Sequence, residues 1–68
     1  MNINELIKRE AEHDVAYAKA LRDAYNLVKN NSRIELLSYQ QFARDMYAKN
    51  GATHANTARC VVVKEMLK

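Results

Sequence analysis

Ser38-Tyr39-Gln40-Gln41-Phe42-Ala43-Arg44-Asp45-Met46-Tyr47-Ala48-Lys49-Asn50-Gly51-Ala52-Thr53 is the stretch whose reading decides the fold. Ser38 followed three residues later by Gln41 has the form of a capping box, in which the serine oxygen and the glutamine side chain satisfy each other's free amides at a helix start. Leu37 and Phe42 flank that cap at the spacing of a hydrophobic staple. Together they predict a helix over residues 39–49 and a change of chain direction at Leu37 to Ser38. Phe42, Ala43, Met46 and Tyr47 form its expected buried side, and Arg44, Asp45 and Lys49 its wet side. Asn50-Gly51 ends it, because glycine takes backbone conformations that other residues avoid at a helix terminus. Thr53 then caps a last helix over residues 53–67.

Working back toward the N-terminus, Ser32-Arg33-Ile34-Glu35 is a second capping box, and it predicts a short helix over residues 33–37. Before it, Asn30 and Asn31 interrupt a long helical pattern that begins at Asn2, a cap with Glu5 three residues on. Ile3, Ile7, Ala11, Ala18, Leu21, Tyr25 and Val28 recur at spacings of three, four and seven, with Val15, Tyr17 and Ala24 beside them. That periodicity predicts one helix over residues 3–29 with a single broad apolar face. Asp14 falls on this stripe, and so lies at its rim, pairs with a base or marks a break. Glu5 with Arg9 and Lys19 with Asp23 are spaced for ion pairs on the opposite face.

These elements predict an all-α single domain of about four helices over residues 1–68. The absence of proline, the single glycine and the abundance of Ala, Leu, Lys, Arg, Glu and Gln agree with that class. With 68 residues, a core supplies only about 3 to 5 kcal/mol net. The alanine-rich stripe of the first helix is expected to cover the other three segments, with a homodimer through that helix as the alternative.

In the last helix, 100° steps place Ala55, Ala58, Val62 and Met66 on one side, with Val61, Val63 and Leu67 widening the apolar sector. Thr53, Asn56, Thr57, Cys60 and Lys64 form the opposite ridge. Val61-Val62-Val63 is a poor helical run on propensity alone, so tertiary packing must hold it.

The pattern from Ser38 to Arg59 resembles the helix-turn-helix class of DNA-binding domains. The matching residues are Ser38-Tyr39-Gln40-Gln41-Phe42-Ala43, then Gly51 in the turn, then Thr53-His54-Ala55-Asn56-Thr57-Ala58-Arg59 opening the second helix. The resemblance implies a last helix docked in the major groove, where Asn can bond adenine, Arg guanine, and Thr a phosphate or thymine methyl. Thr53, His54, Asn56, Thr57, Arg59 and Lys64 are its expected DNA-binding residues, with Arg44, Lys49 and Lys68 beside Arg59 as phosphate contacts. In that family the turn glycine follows the alanine of the first helix by about one helical turn. Here Gly51 lies eight residues after Ala43, so the first helix or the turn is longer.

The charge distribution is compatible with that reading. The formal net charge is +3, and the whole excess lies in residues 30–68, whereas the charges of residues 1–29 cancel. The implied protein is a small DNA-binding transcriptional regulator. The competing expectation is a phage- or plasmid-type protein that binds and redirects a host protein machine, with Tyr17, Leu21 and Tyr25 as interface anchors.

Catalysis is not expected. Cys60, the only cysteine, lies about 120° around the helix from His54, too far for a base that activates a thiol. Glu10 and His13 make a single Glu-x-x-His, a unit that metal-bridging bundles use in duplicate. No metal site and no cofactor are therefore predicted, and no glycine-rich phosphate loop is present. A lone thiol and the lack of any apolar run long enough for a signal peptide or membrane span predict a cytoplasmic location and no membrane partner.

Overall fold

Asn2 caps the first helix as its sequence position suggests, its Oδ1 accepting from the Glu5 amide at 2.8 Å. In the computed structural model, which describes residues 2–68, this helix, α1 (Ile3–Ala11), stops after about two and a half turns. The expected helix over residues 3–29 is thus two helices. Asp14 adopts an extended backbone, φ −149° and ψ 94°, and its Oδ1 accepts from the Tyr17 amide at 3.0 Å to cap α2 (Val15–Val28). Of the three roles open to Asp14, the break is realised, and its other carboxylate oxygen also meets a basic side chain, His54. An aspartate oxygen satisfies a free amide at a helix start but competes with the backbone inside a helix. The break lets α1 fold back on α2, so that Ile3 and Ile7 are buried against it. Val15, expected beside the apolar face, is instead exposed at the first turn of α2.

The Ser32 capping box is present in full. Ser32 Oγ accepts from the Glu35 amide at 3.2 Å, and Glu35 Oε1 accepts from the Ser32 amide at 2.8 Å. It opens one continuous helix, α3 (Arg33–Asn50). The expected direction change at Leu37 to Ser38 does not occur, and the separate helices over 33–37 and 39–49 are one. Ser38 lies inside α3, exposed. Gln41, instead of reaching back to Ser38, donates to Asp45 Oδ1 at 2.9 Å. The staple is absent as well, because Leu37 and Phe42 lie about 140° apart on a continuous helix. Leu36 and Ala43, seven residues apart, are both buried. An unbroken helix keeps them on one stripe, and a turn at Ser38 would put them out of register.

Gly51 ends α3 with φ +86°, the only positive φ among the described residues. Its ψ of −171° places it in the region that is essentially glycine's alone rather than in the left-handed helical well. Thr53 Oγ1 accepts from the Asn56 amide at 3.1 Å and caps α4 (His54–Met66).

The described residues form an all-helical bundle of four helices with no strand. α4 packs against both α2 and α3, and α1 packs on α2. The core joins Ile3 and Ile7 of α1, Ala18, Leu21, Ala24 and Val28 of α2, Leu36 of α3, and Ala58, Val62 and Val63 of α4. The alanine stripe of α2 is covered by α4 of the same chain. Val62 and Val63 are fully buried, so burial at roughly 1.5 to 3 kcal/mol per side chain outweighs the helical reluctance of the valine run. α3 buries only Leu36 and Ala43. It is the edge helix: Tyr39, Gln40 and Met46 are half-buried and its other residues face outward.

Candidate recognition face on α3 and α4

The residues expected to read DNA are distributed by the fold over several surfaces. Asn56 is 4% exposed, not on the outer ridge of α4. Its Nδ2 donates to the Gly51 carbonyl at 3.0 Å and to the Met46 carbonyl at 3.4 Å, and its Oδ1 accepts from Arg59 Nη1 at 3.0 Å. The carboxamide thereby satisfies the Gly51 carbonyl, which lies beyond the last intrahelical bond, from the Gly51 N–H to the Tyr47 carbonyl. An amide spent this way is not available to a base edge.

Arg59 is turned the same way. Its guanidinium bonds Asn56 and stands 6.0 Å from the Phe42 ring centroid, over a small cleft that also includes Ala20, Leu27 and Tyr39. This is the inner flank of α4, so Arg59 does not join a row of phosphate contacts on the outer one. Tyr39 has its hydroxyl buried there without a hydrogen-bond partner among the described residues. Burial pushes its pKa up, opposed by the nearby Arg59 charge.

His54 faces α2. Its Nε2 lies 3.3 Å from Asp14 Oδ2, and its ring centroid is 5.6 Å from that of Tyr17. The first residue of α4 is thus joined to the cap of α2. Lys68 bonds Glu65 at 2.9 Å, and that bond holds the Glu65 carboxyl below the usual glutamate range. Lys49 is exposed, but on α3 it points about 140° away from Arg44. Lys19 and Asp23 form the ion pair their spacing suggests, at 2.9 Å.

Four expected residues remain outward on the α3–α4 side: Arg44, Thr53, Thr57 and Lys64. Three of them line an open groove, Arg44 with Tyr47 and Ala48 on the α3 wall, and Thr57 and Lys64 with Cys60 and Val61 on the α4 wall. Between its polar residues the groove has an apolar lining. No acidic residue lines it, and neither Arg44 nor Lys64 is in an ion pair among the described residues.

Tyr47, on the apolar side of this groove, is 42% exposed although its spacing predicts a buried position, and Phe42, beside Tyr39 and Arg59 outside the groove, is likewise 48% exposed. Tyr47 lies only about 40° from the buried Ala43 around α3, and it is uncovered because α3 and α4 part beside it. Periodicity places a residue on a helix face, but it does not say where the neighbouring helix ends.

The expected protein-interface triad is also divided. Leu21 is fully buried in the core and is not an anchor for a partner. Tyr25 is half-buried against that core. Tyr17 packs there too, with its hydroxyl pKa raised by burial and then by the Glu10 charge.

Among the described residues, no three His, Cys, Asp or Glu side chains gather as metal ligands. No helix of the described residues is long and apolar enough to cross a membrane. The chain matches no protein-family model, no curated protein and no solved structure.

Proposed function

We propose that this chain is a small, non-enzymatic binding protein that docks another protein on the face shared by α3 and α4. The observation that carries this reading is the composition of the groove. An open apolar lining of Tyr47, Ala48, Cys60 and Val61 is edged by the cations Arg44 and Lys64, neither of them in an ion pair among the described residues. Apolar surface left open with a polar rim is characteristic of protein-recognition sites. The two side chains best suited to base edges, Asn56 and Arg59, bond each other and the end of α3 instead.

A DNA-binding regulator is the second reading. It is favoured by Arg44, Thr53, Thr57 and Lys64, which remain outward around a helix, a turn and a second helix. The two readings differ in salt dependence. Titration of random duplex DNA by fluorescence anisotropy tests them directly, since each neutralised phosphate steepens the salt slope. The protein-docking reading expects no saturable duplex binding at low salt. It also expects a protein partner captured by the wild type to be lost with Ala48→Glu, which places a charge in the groove without touching the core. Duplex binding that weakens steeply with salt and disappears in Arg44→Glu/Lys64→Glu overturns it in favour of DNA.

A further inference from the structure

We infer that the α3–α4 groove takes an acidic amphipathic helix of a partner protein, an inference that rests on the protein-docking reading above. The groove walls are helical ridges. Arg44, Tyr47 and Ala48 follow the i, i+3, i+4 spacing on α3, and Thr57, Cys60, Val61 and Lys64 the i, i+3, i+4, i+7 spacing on α4. A channel between two such ridges is filled by the ridge of a third helix, as in helical bundles and helix-in-groove complexes. The α4 wall runs from Thr57 to Lys64, about two helical turns or roughly 10 Å. An occupant therefore offers apolar anchors at i, i+3 or i+4, and i+7.

Small side chains on each wall, Ala48 and Cys60, allow that helix to approach closely. Its flanks are specified by charge. Arg44 and Lys64 stand on opposite walls, no carboxylate lines the groove, and neither cation has an internal ion-pair partner among the described residues. Asp or Glu beside the anchors complements both walls, whereas Lys or Arg there meets like charge. The outer faces of α1 and α2 do not match this description. The outer face of α1 mixes Glu5 and Glu12 with Lys8 and Arg9, and Asp23 of α2 is held by Lys19. The geometry thus favours a different protein over a second copy.

Cys60 supplies a direct readout, because it is the single cysteine and lines the groove. The probes are two helical peptides of about four turns, with leucine at i, i+3 and i+7 and either glutamate or lysine on both flanks, plus a random DNA duplex. The glutamate peptide is expected to slow alkylation of Cys60 saturably, with affinity about tenfold above that of the lysine peptide. Arg44→Glu/Lys64→Glu is expected to invert that preference while leaving the circular dichroism melt in place. Equal binding of both peptides, or binding without protection of Cys60, overturns the inference. Protection by the lysine peptide alone overturns it but leaves protein docking standing. Protection by duplex DNA overturns both readings. A thiol protected in the free protein together with a dimer in sedimentation assigns the groove to a second copy and also overturns the inference.

Discussion

The side-chain amide of Asn56, within the first turn of α4, donates to the carbonyl of Gly51 at 3.0 Å and so closes the turn between α3 and α4 from the inside. The same carboxamide accepts from Arg59, so its removal leaves the part-buried Gly51 carbonyl and an arginine without their partner. Asn56→Ala is expected to destabilise the fold by about 1 to 3 kcal/mol. At roughly 4 to 8 °C per kcal/mol for a domain of this size, the loss is readily visible in a thermal melt. Asn56→Asp is expected to be no better, because a carboxylate cannot donate to the Gly51 and Met46 carbonyls. A melt unchanged in both variants would remove the structural role assigned to this residue.

Gly51 presents a separate case. A Cβ there meets nothing within 4 Å, so space does not demand glycine. The backbone does, with φ +86° and ψ −171°, a region that costs other residues of order 1 to 3 kcal/mol. Gly51→Ala is expected to lose that amount in chemical denaturation. Gly51→Asn is expected to lose about as much, although asparagine is tolerated where a helix ends in the left-handed helical well. Recovery of stability by asparagine would show that the turn relaxes to that well.

The two serine cap sequences of α3 give opposite expectations. Ser32 bonds the Glu35 amide at a helix start, and Ser32→Ala is expected to cost about 0.5 to 2 kcal/mol. Ser38 is an exposed residue within the helix. Ser38→Ala is expected to be neutral or slightly stabilising, by up to about 0.5 kcal/mol, since alanine is the better helix former. Urea titration of the pair distinguishes a continuous α3 from two helices joined at residue 38, for which Ser38→Ala would be the costly change.

Acid should weaken the start of α3. Hydrogen bonds from the backbone and side chain of Ser32 hold the Glu35 carboxyl below the usual glutamate range. A carboxyl whose folded pKa is depressed contributes stability that is complete above its unfolded value and is lost as pH falls through the folded value. Glu35→Gln keeps the capping-box geometry but cannot titrate. The stability gap between wild type and Glu35→Gln is therefore expected to be widest near neutrality and to close on acidification below the glutamate range. A gap that stays constant with pH would remove the assigned linkage.

Local sequence was a good guide at most of the points where the chain leaves a helix, the break at Asp14 within the expected helix over residues 3–29 being the exception. The caps at Asn2, Ser32 and Thr53 and the stop at Gly51 all fall where their residue types place them. The site was less legible. Thr57 and Lys64 face outward as their helical positions suggest, but Asn56, only one residue from Thr57, is drawn inward by carbonyls that belong to the previous helix. Tyr47 reads as core by periodicity and lies open because α4 does not cover it.

By itself, then, the sequence determined an all-helical chain, its capping chemistry and the need to bury the valine run of α4. Only the tertiary structure decided which cap signals are used, with Asp14 breaking the first apolar pattern and Ser38 left idle inside α3. The physical reason is one of magnitude. A cap contributes about 1 kcal/mol and acts only at a helix end, whereas each large apolar side chain kept on a buried stripe contributes roughly 1.5 to 3 kcal/mol. Leu36 and Ala43 hold α3 in one piece, Ile3 and Ile7 favour the fold-back of α1, and the groove opens where α3 and α4 part.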